Sequence, residues 1–196
     1  MPRSVPHPAT PPRRLHGKRI ILGVGAGIAA YKSCDLASRL AKAGACVTAV
    51  LTRGAQKLVT PYAFEALTGQ PCLTRMFHRI GPRDSAFPHL APAEHADLAI
   101  IAPATADLMA RLAHGLANDL LTTLMLSVRC PVLLCPAMNV RMWEHPATQA
   151  NAALLRRYGY TLLGPASGRL ACGTEGIGRM VEPDEIVAAA LKAVAS

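Results

Sequence analysis

Apolar residues in this chain fall into short unbroken runs separated by longer stretches in which they recur every three or four positions. The runs are Arg19–Val24, Cys46–Leu51, Asp97–Ala102, Val132–Cys135 and Tyr160–Leu163. Runs without polar alternation are what strands covered on both faces require. Helical spacing occupies Ile28–Ala43, Pro61–Leu67, Thr105–Ala113, Asn118–Leu126, Pro146–Tyr158 and Asp184–Val194. Glycines mark the boundaries: Gly25-Ala26-Gly27 ends the first run, Gly44 follows the first helix and Gly69 the second. Strand followed by helix throughout predicts an α/β fold, a three-layer Rossmann-like parallel sheet flanked by helices in a single domain.

In such a sheet, ligands bind beyond the carboxyl ends of the strands, near the point where strand order reverses. Gly25–Gly27, Thr52–Gly54, Pro103–Asp107 and Pro136–Asn139 all follow predicted strands, which places the candidate site at that edge. Ile28 stands where a dinucleotide fingerprint has its third glycine, and Thr52-Arg53 ends the second strand where an acidic residue would grip ribose. A mononucleotide such as FMN remains open. A glycine turn at a helix start offers N–H groups to a phosphate, and Thr52 and Arg53 would add donors. The plain alternative is that Gly25 and Gly27 only let the first helix pack closely. Thr105 is similarly double-sided, being a good N-cap worth about 1 kcal/mol whatever the protein does.

Two further segments carry chemistry. Pro136-Ala137-Met138-Asn139 puts an uncharged amide at the exit of a buried strand, and Gly168-Arg169-Leu170-Ala171-Cys172-Gly173, continuing to Gly176-Ile177-Gly178-Arg179-Met180, holds a thiol in a glycine-rich loop. A core needs neither, since ordering such loops costs entropy. Of the histidines, His89 precedes the third strand in a loop too long to be only a connector, and His95 competes with it for a proton-handling role.

Composition narrows the classes. A chain of 196 residues with 51% hydrophobic content can bury one good core, and its few aromatics favour helices on a parallel sheet over an all-β design. The strongest apolar stretches, Leu98–Ala106 and Leu120–Leu126, are too short to span a bilayer. Met1–His16, with five prolines, three arginines and no acid, reads as a disordered leader before a domain over 17–196. The net charge of +9 includes those three arginines, and without a basic helix or interleaved aromatics it suits an anionic small molecule better than nucleic acid. Six cysteines without a Cys-x-x-Cys pair or a histidine at ligand spacing give no metal site and suit a reducing cytoplasm.

Taken together, Gly23–Lys32, Ala102–Leu108, Gly115–Leu121, Pro136–Asn139 and Ala171-Cys172-Gly173-x-x-Gly176-x-Gly178-Arg179-Met180 resemble the homo-oligomeric flavin-containing cysteine decarboxylases, over about residues 17–195 in unbroken order. Within that family they are most similar to the branch acting on phosphopantothenoylcysteine. The resemblance implies FMN held by Gly25, Ala26, Gly27, Thr52, Ala104, Thr105, Ala106 and Asp107. It makes His89 and Cys172 catalytic, and it assigns the substrate, a phosphorylated cysteine conjugate, to Met138, Asn139, Ala171, Gly173, Arg179 and Met180. Three positions depart from the family pattern: Ala26 replaces a usual glycine, Pro92 a leucine of the histidine motif, and His95 a frequent tryptophan.

The implied reaction oxidises the CH₂–SH of the substrate to a thioaldehyde, so that loss of CO₂ leaves an enethiolate rather than an unstabilised carbanion. Asn139 would grip the carboxylate, His89 handle a proton near the flavin, and Cys172 protonate the enethiol as the hydride equivalent returns, giving 4′-phosphopantetheine. A homotrimer or dodecamer is also implied, with Leu120–Leu126 as a candidate contact surface. The alternatives are a peptidyl-cysteine decarboxylase of natural-product maturation and a non-catalytic flavin-binding regulatory protein.

Overall fold

A computed structural model describes residues 15–76, 91–169, 173 and 175–195. In chain order the elements are β1 (Arg19–Val24), α1 (Ala30–Lys42), β2 (Cys46–Leu51), a single 3-10 turn (Ala55–Lys57), α2 (Pro61–Thr68), α3 (Ala91–Glu94), β3 (Leu98–Ala104) and α4 (Ala106–Ala113). They continue with α5 (Leu120–Ser127), β4 (Val132–Pro136), α6 (Val140–Glu144), α7 (Pro146–Arg157), β5 (Thr161–Leu162), β6 (Ala166–Arg169), β7 (Glu175–Arg179) and α8 (Pro183–Ala193).

β1 to β5 form one parallel sheet in the order β2-β1-β3-β4-β5. Successive side chains of a strand point to opposite faces, and the core divides accordingly. Ile20, Leu22 and Val24 join Ile100, Ala102 and Cys135 under α1 and α8, whereas Ile21, Ile101 and Leu134 face α4, α5 and α7. That division produces the unalternated apolar runs, because each face of the sheet is covered. Pro103 sits within β3 where the register with β4 shifts, a bulge being one of the few places a sheet tolerates a residue without an N–H.

Several boundaries differ from the sequence reading. Leu15, assigned above to the leader, is fully buried, and its N–H donates to the Ala43 carbonyl at 3.0 Å, so it belongs to the domain. α1 starts two residues after Ile28, because the chain spends Gly25–Ala29 turning out of β1. The glycine-rich loop from Gly168 is, on both its flanks, an antiparallel hairpin of β6 and β7. α3 and α6 were not expected, each being too short to show a period. Leu120, Leu121, Leu124 and Met125 of α5 are buried within this chain, leaving Leu126 as the exposed apolar side chain of the proposed contact surface.

Candidate active site

Strand order reverses between β1 and β3, so the crevice of the sheet opens beyond their carboxyl ends. The turn after β1 is tied across it. Gly25 N–H donates to the Pro103 carbonyl at 3.1 Å, and Gly27 N–H to the Gly25 carbonyl at 3.0 Å. A Cβ on Gly25 would collide with the Pro103 oxygen, so only glycine lets the strand exits approach this closely. Ala26, exposed at the tip, faces Gly54 of the turn after β2, whose Cβ would lie 2.5 Å from the Ala26 methyl. No described residue other than glycine has a positive φ. The departure at Ala26 is therefore accommodated by an absent side chain across the gap.

α1 begins here with no side-chain cap and no acid in its first turn, whereas Thr60, Thr105, Asp119, Asn139 and His145 cap α2, α4, α5, α6 and α7. The positive end of the α1 dipole thus meets the crevice without a first-turn carboxylate of its own helix. Ser33, fully buried one turn further on, donates its hydroxyl to the Ala102 carbonyl at 2.6 Å and fixes α1 to β3. Thr52 is also buried. Its hydroxyl donates to the Val24 carbonyl at 3.1 Å and accepts the Ala55 N–H at 3.2 Å, bracing the β2 exit against that of β1.

Beyond β3, Ala104 is fully buried and its carbonyl accepts the Ala137 N–H at 3.0 Å. Its contribution is backbone. Thr105 caps α4 by accepting the Leu108 N–H at 3.2 Å, and Ala106 is half-buried beside it. Asp107 pairs with Arg111 at 2.8 Å, and Arg111 pairs with Asp119 at 2.6 Å, coupling this turn to the start of α5. Burial alone would raise the Asp119 pKa, but hydrogen bonds from Thr122 and Arg111 hold it below the usual carboxylate range.

The Pro136–Asn139 turn completes the edge. Met138 N–H donates to the Gly178 carbonyl of β7 at 2.9 Å, while its side chain packs on the cluster under α4, α5 and α7. Asn139, half-buried, accepts the Arg141 N–H at 2.9 Å through Oδ1 and opens α6. The turn therefore joins β3 through Ala104 and the hairpin through Gly178.

On the hairpin side, Gly173 is exposed at φ +85°, and Arg179 closes β7 with its guanidinium 3.1 Å from Glu182. Met180 is 1% exposed and packs into the core against α1 and α8. Its side chain is a core residue of this chain. His89, Ala171 and Cys172 lie outside the described residues. Pro92 occupies the second position of α3, where its missing N–H costs no helical bond, and His95 is exposed just beyond that helix. Sequence reasoning missed Ser33, Lys32 and Glu182, whose partners lie 69 to 150 positions away. A cleft of about 660 Å³ lined by Ala93, Glu94, Leu126 and Cys130 belongs to the opposite, amino-terminal edge of the sheet.

A family model described as Flavoprotein matches residues 8–195. The coenzyme A biosynthesis bifunctional protein CoaBC of Vibrio cholerae is 47% identical over 174 residues, which are 89% of this chain and 43% of that protein. The chain thus spans less than half the length of the curated relatives it matches. Among solved structures, a cysteine-to-serine mutant of PPC decarboxylase complexed with pantothenoylaminoethenethiol superposes with a TM-score of 0.81 at 27% identity, covering 91% of this chain and 99% of that one. The FMN-dependent cysteine decarboxylase SpaF gives 0.78 at 30% identity, covering 93% and 99%. With its parallel sheet, its glycine turn at the strand-order reversal and a family match over nearly its whole length, this chain belongs to the flavoprotein family.

Proposed function

We propose that this chain decarboxylates 4′-phosphopantothenoyl-L-cysteine to 4′-phosphopantetheine in the cytoplasm, with FMN in the crevice between β1 and β3, as a homotrimer or a dodecamer. The observation that carries this reading is the convergence, at one sheet edge, of the Gly25–Gly27 turn, the Ala104–Asp107 turn and Asn139, joined by the Ala137-to-Ala104 and Met138-to-Gly178 backbone bonds. The likeness to CoaBC and to PPC decarboxylase supports the substrate.

The residues present fit FMN. An uncapped helix start free of first-turn carboxylates suits a phosphate, and Arg53 on the neighbouring turn is exposed. Gly25–Gly27, Thr52 and Ala104–Asp107 would hold it. Bound there, FMN would supply reversible hydride chemistry, taking two electrons from the substrate CH₂–SH before CO₂ departs and giving them back to the enethiol, so that the cycle is redox-neutral. Asn139 holds the substrate carboxylate through its neutral amide, without the full countercharge that would over-stabilise the ground state. His89 handles a proton near the flavin, and Cys172 donates one to the enethiol carbon. The thiol sets the product: without it the substrate stops at the enethiol.

The test is mass spectrometry of FMN-loaded protein with this substrate. Wild type is expected to yield phosphopantetheine, and Cys172→Ser an enethiol-derived species that is still decarboxylated. Normal phosphopantetheine from Cys172→Ser removes Cys172 from the mechanism, and turnover of a peptide ending in cysteine instead of this substrate overturns the assignment.

A further inference from the structure

Lys32 ends the Gly23–Lys32 motif, yet none of the roles above uses it. It sits on α1 with its side chain only 15% exposed, and a covered ammonium is costly without a partner. The partner is Glu182, whose Oε1 accepts from Lys32 Nζ at 2.8 Å. The same oxygen lies 3.1 Å from Nη2 of Arg179, the last residue of β7. Two cations therefore share one carboxylate.

Among the described residues, the neighbouring acids on α1 and α8 already have partners. Asp184 is held by Arg39 at 2.6 Å, and Arg39 also binds Asp35 at 2.9 Å. Glu185 turns back to accept the Glu182 N–H at 3.3 Å. The guanidinium of Arg179 lies across Gly168 of β6, where an added Cβ would stand 3.5 Å from Nη1. One residue earlier, the Gly178 carbonyl accepts the Met138 N–H, which sets the backbone of Arg179 next to the strand exit that leads into Asn139.

We propose that Lys32 is a positioning residue for substrate binding: by occupying Glu182 it leaves Arg179 with uncompensated positive charge beside the Asn139 turn, available to the substrate's phosphate or carboxylate. This rests on the function proposed above. Loss of the ammonium turns Glu182 wholly onto Arg179 and withdraws that cation from the ligand. Loss of the Glu182 charge as well releases it again. A merely structural lysine would not show that reversal.

The experiment compares wild type, Lys32→Met, Lys32→Arg and Lys32→Met/Glu182→Gln as FMN-loaded full chains, measuring kcat and KM with the phosphorylated substrate and with its dephospho form. Lys32→Met is expected to raise KM about tenfold, with kcat held within about twofold. Lys32→Arg recovers most of the loss, and the double variant returns to within about threefold of wild type. A penalty confined to the phosphorylated substrate identifies the phosphate as the anion; a penalty on both forms identifies the carboxylate. The proposal is overturned if the double variant is as poor as Lys32→Met, if KM is unmoved, or if flavin affinity by fluorescence titration falls in step with KM. Should wild type prove unable to turn the substrate over, the proposed reaction fails, and calorimetric binding of the same substrate to the same four proteins decides the role of Lys32 by the same pattern.

Discussion

Replacing Gly25 by alanine probes the closest contact at the crevice. The new Cβ would meet the Pro103 carbonyl oxygen, so either the turn or the β3 exit must move, and the 3.1 Å bond from Gly25 N–H to that oxygen lengthens. Overpacking of this kind costs about 1–3 kcal/mol, and a weakened hydrogen bond adds about 0.5–1.5 kcal/mol. Reduced freedom of the unfolded chain returns about 0.4–1 kcal/mol, for a net loss on the order of 2 kcal/mol. Gly27 is the internal control, because its Cβ would stand 3.4 Å from the Thr105 methyl, an ordinary contact. Gly27→Ala should therefore change stability by no more than about 0.5 kcal/mol either way. Urea unfolding of flavin-free protein separates these effects from ligand linkage. Equal losses in the two variants, or none at Gly25, would refute the claim that the strand exits are in steric contact there.

Three further outcomes follow from the contacts described. Ser33→Ala removes a buried donor to the Ala102 carbonyl and should cost about 1–2 kcal/mol in urea unfolding; a loss under about 0.3 kcal/mol would mean that this bond does not tie α1 to β3. Asp119 titrates below its unfolded value of about 4, so its contribution is present above that pH and lost as pH falls through the lower folded value. Asp119→Asn should accordingly be less stable than wild type at pH 7, with the gap narrowing under acid; a gap constant with pH contradicts the assignment. Among the described cysteines, burial pushes the Cys135 thiol upward and the Cys72 thiol up to about 12, while Cys46 is exposed. In native protein a thiol reagent should label Cys46 rapidly and leave Cys72 and Cys135 until denaturant is added, as peptide mapping would show; early labelling of Cys135 would contradict its place in the sheet.

The apolar runs made the sheet legible in sequence because β1 to β4 are covered on both faces, and their limits fall within two residues of those expected. The shortest helices and the glycine-rich hairpin were not legible. A helix of five residues such as α6 has too few positions to show a period, and β6–β7 is rich in glycine and half-exposed, so it reads as loop. At the candidate site, the motifs fall at strand exits that the fold gathers on one sheet edge, but what each residue contacts there depends on tertiary structure. Thr52 and Thr105 tie the backbone, Ala104 acts through its carbonyl, and Met180 turns into the core. The pairing of Lys32 with Glu182 joins residues 150 positions apart and leaves no local pattern.

The proposed function makes this sheet edge a flavin-dependent carboxy-lyase. The most direct measurement loads the protein with FMN, removes unbound flavin, supplies 4′-phosphopantothenoyl-L-cysteine labelled at the cysteine carboxylate, and counts released CO₂ against phosphopantetheine formed. The protein is expected to retain its flavin and to release one CO₂ for each phosphopantetheine, with no net consumption of oxidant. Protein that loses its flavin on gel filtration, or that keeps it and releases no labelled CO₂, does not have this function.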